Sequence, residues 1–190
     1  MTNPAPDQPL TFLLSPAHLG GVRGGQLLNP AAGFPLAQRL HGSGGATLGE
    51  LFSFVSALYF RGKLAYASRF APPAGRILVI TSNRGLLPPS ALMRPADLAG
   101  FGAVDIDPDD PRYADPLRRD LRTLPGGPVL FLGSLATPKY LAILEPELGA
   151  RLLVPGDFAG LGDMSRGSRL LRAAAAGQPL AYRGTAGRSP

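Results

Sequence analysis

Short apolar runs alternate with longer stretches of helical periodicity along this 190-residue chain. Leu10-Thr11-Phe12-Leu13-Leu14, Arg76-Ile77-Leu78-Val79-Ile80-Thr81, Pro128-Val129-Leu130-Phe131-Leu132 and Arg151-Leu152-Leu153-Val154 read as strands. They are nearly continuous in apolar residues rather than alternating, which is the pattern of parallel strands covered on both faces. Ala103-Val104-Asp105-Ile106 reads as an edge strand.

The segments between them carry helix signals. Residues 33–40 predict a short helix. Thr47-Leu48-Gly49-Glu50 fits a capping box and opens an apolar segment from Leu51 to Phe70, with a break expected near Arg61-Gly62. Leu51, Val55 and Leu58 share one face of it, and Phe52, Tyr59 and Tyr66 widen the apolar surface, as in a central, buried helix. Asp110-Pro111, Asp115-Pro116 and Thr137-Pro138 each place a capping residue before a proline suited to a first helical turn. A last helix runs from about Ser165 through Ala173–Ala176 to Gly177, a natural stop. The alternation predicts an α/β fold. We expect a single three-layer domain over residues 10–182, with a mainly parallel sheet of four to five strands and helices on both faces, between flexible tails at 1–9 and 183–190.

Composition adjusts this picture in three places. Glycine (25) and proline (21) are abundant enough to suggest low complexity, but they fall between the apolar runs, at strand ends and helix starts. No cysteine is present, which excludes disulfides, thiolate metal sites and a cysteine nucleophile. Neither a membrane-length apolar run nor a basic secretory leader is recognised, so a soluble cytoplasmic protein is expected. The net charge is +6, and only Lys63 and Lys139 are lysines; all other cationic side chains are arginine. Arginine suits phosphate and carboxylate, although GC-rich coding produces the same bias.

In open α/β sheets ligands sit beyond the carboxyl ends of the strands. Four loops fall there: Ser15–Gly25, Ser82–Pro89, Gly133–Lys139 and Gly156–Gly167. Arg23, Arg84, Lys139 and Arg166, with Ser15, Ser82 and Ser134, are the candidate anion- or phosphate-binding residues. The alternative for each is an ordinary solvated loop residue. No metal site is expected, since His18 and His41 are the only histidines, and the sequence identifies no cofactor. Walker-type, Gly-x-Gly-x-x-Gly and Gly-x-Ser-x-Gly motifs are absent. The acidic turn Asp105–Asp110 lacks the closing glutamate of a calcium loop and reads as solvated.

Leu13-Leu14-Ser15-Pro16-Ala17, the segment Gly49 to Ala67, Ile80-Thr81-Ser82-Asn83-Arg84-Gly85-Leu86-Leu87-Pro88-Pro89, Leu132-Gly133-Ser134 and Gly160-Leu161-Gly162-Asp163-Met164-Ser165-Arg166-Gly167 together resemble an uncharacterised bacterial family. More distantly they resemble small α/β domains related to the peroxide-stress protein YaaA and to uracil-DNA-glycosylase-like domains. The resemblance covers most of residues 10–176, on short, glycine-dominated motifs. It implies a nucleobase, nucleotide or nucleic-acid context and transfers no catalytic residue. The glycosylase water-activating motif is missing, and Val154-Pro155-Gly156-Asp157 stands where a His-Pro-Ser motif belongs. Asp157 and Asp163 are the acid–base candidates that remain.

The functional expectation is a nucleotide- or nucleic-acid-binding protein, linked to base modification or repair, whose partner carries phosphate. The alternatives are an interaction or oligomerisation subunit of a larger complex and a small-molecule enzyme acting on an acidic metabolite.

Overall fold

The computed structural model describes residues 9–158 and 160–185. The main sheet has six strands: β1 (Thr11–Leu14), β3 (Arg76–Ile80), β4 (Leu86–Leu87), β6 (Val129–Leu132), β7 (Leu152–Pro155) and β8 (Tyr182–Gly184). Their order is β4-β3-β1-β6-β7-β8. The inner four are mutually parallel, and β4 and β8 add antiparallel edges. All residues of β1 and β6 are buried, as their unbroken apolar runs require. A separate antiparallel pair joins β2 (Ala46–Thr47) to β5 (Leu92–Met93).

Eight α-helices complete the described residues: α1 (Val22–Leu28), α2 (Pro35–His41), α3 (Leu48–Ser56), α4 (Leu58–Phe70), α5 (Pro95–Gly102), α6 (Pro111–Arg122), α7 (Leu141–Leu148) and α8 (Asp163–Ala176). α4 packs on β1 and along α8; α6 packs on α7, with contacts to β4 and β7 respectively. The chain crosses from β1 to β3 through α3 and α4. It returns past β1 to β6 through α6, and reaches β7 through α7. Right-handed crossovers put α4 and α8 on one face and α6 and α7 on the other, giving three layers.

The local signals act as their chemistry predicts. The Thr47 hydroxyl accepts from the Glu50 amide at 3.4 Å, and a Glu50 carboxylate oxygen accepts from the Thr47 amide at 3.1 Å. Asp110 caps α6 by accepting from the Arg112 amide at 2.9 Å. That helix buries Tyr113, Ala114, Leu117 and Leu121, one stripe at helical spacing. Gly177 ends α8 in the left-handed conformation.

Several expectations are corrected. The sheet has six strands because Leu86-Leu87 folds back onto β3 and Tyr182–Gly184 onto β7. Gly85, at φ +64°, makes the first of these turns. Arg183 and Gly184 therefore belong to a strand rather than a tail. Residues 1–8 and 186–190 lie outside the described residues. Residues 103–106 form no strand; they leave α5 as an irregular segment. Asp115-Pro116 starts nothing, because Pro116 already lies in the second turn of α6. Thr137 lies in a bend and Pro138 opens a turn, and α7 begins only at Leu141.

The long apolar segment breaks at Ala57, not at Arg61-Gly62. Ala57 has φ +46° and ψ −113°, the one positive-φ non-glycine among the described residues. Gly62 is instead a close-packing residue. A Cβ there would lie 2.6 Å from the Gly167 carbonyl oxygen, and one on Gly167 would lie 2.8 Å from the Leu58 carbonyl oxygen and the Tyr59 Cα. The backbones of α4 and α8 touch at this crossing, which only paired glycines allow.

Candidate functional site

The reversal of strand order on either side of β1 opens a crevice at the carboxyl end of the sheet, between the exits of β1 and β6. A cavity of about 360 Å³ occupies this end. Three strands each deliver a serine to its wall immediately or shortly past their last residue: Ser15 after β1, Ser82 after β3 and Ser134 after β6. The opposite wall comes from helices, with Phe52, Val55 and Ser56 on α3, Tyr59 on α4 and Phe101 on α5. Lys139, Tyr140 and Asp163 complete the polar lining, with His18 and Asp105 on the flanking loops.

At the crevice floor a lysine stands behind a serine. Lys63 projects from α4 and is 1 % exposed; Ser15 is 4 % exposed. Lys63 Nζ lies 2.6 Å from the Ser15 carbonyl oxygen and 2.8 Å from Ser15 Oγ. It also rests over the rings of Tyr59 (4.5 Å) and Phe60 (5.0 Å). No carboxylate contacts it among the described residues. Burial therefore lowers its pKa to about 7, opposed only by the field of Asp163. A substantial neutral fraction at physiological pH follows. The amine donates to both the Ser15 carbonyl oxygen and Ser15 Oγ.

Two further polar groups are buried without partners. The Tyr59 hydroxyl has none, and neither does Nε of Arg166. Arg166 is 4 % exposed and donates through Nη1 to Asp163 Oδ1 at 3.2 Å. Burial raises the Tyr59 hydroxyl above the ordinary tyrosine range, and Arg166 pulls it down. Tyr140 is likewise raised, by burial and then by Asp163, with the Ser15 hydroxyl beside it acting in the opposite sense.

The fold thus brings together Ser15, Ser82, Ser134, Lys139 and Asp163, with Arg166 joined to them through Asp163. The other candidates lie elsewhere. Arg23 donates to the Phe54 carbonyl at 3.0 Å and lines a separate shallow depression with Gln26, Ser53 and Arg61. Arg84 pairs with Asp97 at 2.5 Å. Asp157 pairs with Arg169 and is not part of the crevice lining. Lys139 has no carboxylate within ion-pair distance among the described residues, so its charge is available to a ligand. No group of three His, Asp or Glu side chains suited to a metal ion exists among the described residues. No helix among them is long and apolar enough to cross a membrane.

Lys63 is the residue that reasoning from loop cations misses, because it sits inside an apolar helix. Its signal is its spacing: Tyr59, Lys63, Tyr66 and Phe70 recur at +4, +3 and +4, so the lysine shares the aromatic, core-facing stripe.

No family model, no curated protein and no solved structure matches the chain.

Proposed function

We propose that this protein binds a small phosphate-bearing molecule of about nucleotide size in the crevice between β1 and β6. The observation that carries the reading is the convergence on one partly enclosed cavity of three strand-end serines and Lys139, which has no carboxylate partner among the described residues. Its volume falls in the range of small-molecule sites. Lys139 supplies the charge for the anion. Phe52, Phe101 and Tyr140 give the apolar walls against which a planar ring packs. A single nucleotide fits better than a nucleic-acid strand. Arg23 and Arg84, which a strand would use, are spread apart and engaged with Phe54 and Asp97.

Calorimetric titration with mononucleotides and with the matching nucleosides tests this. Binding of the phosphorylated forms weakens by about tenfold or more in Lys139→Ala, the loss of one charge-assisted hydrogen bond. Ser56→Trp, which places an indole in the cavity, abolishes it. Absence of binding by every nucleotide in the wild type, or unchanged affinity in both variants, refutes the reading.

A further inference from the structure

We propose that Ser15 and Lys63 form a nucleophile–base pair, and that the crevice hydrolyses a carboxylic ester carried by its small anionic ligand. This rests on the reading of the crevice as a ligand site and adds the reaction to it.

The geometry meets the requirements of such a pair one by one. A serine hydroxyl is a weak nucleophile until an adjacent base takes its proton. Lys63 Nζ is 2.8 Å from Ser15 Oγ, within the range for that transfer. The base needs a lone pair near neutral pH, and full burial with no carboxylate in contact among the described residues favours the neutral amine that carries it. The base must also be held in place. The Ser15 carbonyl at 2.6 Å and the rings of Tyr59 and Phe60 fix the amine behind the hydroxyl rather than beside it. Ser15 lines the cavity and Lys63 does not, so substrate meets the nucleophile first and the base is shielded from solvent. A lysine whose only task was to neutralise charge would sit on a carboxylate, and among the described residues this one sits on the carbonyl and the hydroxyl of Ser15.

The steps balance. The Ser15 hydroxyl proton passes to Lys63 Nζ as Oγ bonds to the ester carbonyl carbon. The tetrahedral species collapses, the carbon–alkoxide bond breaks, and the Lys63 ammonium gives its proton to the departing alcohol. Water then loses a proton to Lys63 and attacks the acyl carbon. The Oγ–carbon bond breaks, the proton returns to Ser15, and a carboxylic acid leaves. Lys139 lines the same cavity and is the cation available to the developing oxyanion.

The charged and titratable groups facing the pair are Tyr59 on α4, Asp163 and Arg166 on α8, and Tyr140 before α7. Asp163 alone favours the ammonium, and Arg166 is paired with it.

The test is covalent labelling with a fluorophosphonate, read by intact mass and peptide mapping. The expected result is one adduct, on Ser15, absent in Ser15→Ala. In Lys63→Met, with fold checked by near-ultraviolet circular dichroism, labelling slows about a hundredfold or more. Because Lys63→Met risks misfolding, the wild-type rate is also followed against pH. It rises through one ionisation near pH 7, far below that of an exposed lysine. No adduct on the wild type, an adduct only elsewhere, or a flat pH profile overturns the pair. Mononucleotide titration of the same samples keeps the two readings distinct. Binding without labelling refutes the pair and spares the ligand site; labelling without binding does the reverse.

Discussion

Replacing Lys63 by methionine has a consequence for stability that is measurable without any substrate. Methionine keeps much of the length and the apolar stem and removes the titrating amine. An unfolded lysine holds its proton until about pH 10.5, whereas Lys63 in the folded protein gives it up near 7. Between these values the unfolded chain binds one more proton than the folded one, so stability rises with pH. Over the full interval of about 3.5 pH units, at 1.36 kcal/mol each, the change is on the order of 5 kcal/mol. Above about 10.5 both states are neutral and the contribution is level; below 7 both are protonated and the cost is fully present. Urea denaturation of wild type and Lys63→Met at pH 7.5, 8.5 and 9.5 isolates this group, because the remaining titrations cancel in the difference. The wild type gains on the order of 2–3 kcal/mol relative to the variant across that range. The offset between the two curves also contains the two lost hydrogen bonds to Ser15, but that term does not vary with pH once the amine is neutral. Parallel curves would mean that Lys63 remains an ordinary ammonium in the folded state, and both the burial account and its role as a base would fall.

Three other outcomes follow from the packing. Ala57→Gly, at the α3–α4 break with φ +46°, raises stability by about 1 kcal/mol in the same denaturation assay, because glycine accepts that backbone without strain; a loss would contradict the strained assignment. Gly62→Ala and Gly167→Ala each force α4 from α8 and cost about 1–3 kcal/mol, or roughly 2–12 °C in melting temperature. Calorimetry showing no change at either site would refute the backbone contact. Tyr66→Phe removes the oxygen that accepts from the Leu180 amide at 2.8 Å and pairs with the Tyr182 hydroxyl at 2.5 Å. The expected loss is about 1–3 kcal/mol, with faster amide exchange at Leu180 by nuclear magnetic resonance.

The parallel core was legible in the sequence because burial on both faces leaves unbroken apolar runs, as in Thr11–Leu14 and Val129–Leu132. The gathering of Ser15, Ser82 and Ser134 around one cavity was legible too, since residues that end parallel strands face the same side. The two antiparallel edges were not legible. Leu86-Leu87 and Tyr182–Gly184 are too short to show a period, and their pairing depends on turns and on partners far along the chain. The charged residues divided for a related reason. Arg23, Arg84 and Asp157 read as loop residues at the edge, but Arg23 lies in α1, Asp157 in a single 3-10 turn, and the three are engaged by Phe54, Asp97 and Arg169 respectively. Which neighbour captures an exposed side chain is decided by packing, not by the side chain's own place in the sequence. The break at Ala57 was hidden because alanine is a good helix former and carries no mark of the tertiary strain imposed on it.

The long separation along the chain between α4 and α8 makes their crossing a non-local contact, whose loop-closure entropy is spent before packing rewards it. Until α8, residues 163–176, docks, α4 lacks its main helical partner. Under the proposed pairing of Ser15 with Lys63, formation of the pair therefore follows tertiary folding and not the local winding of the helix that carries the lysine.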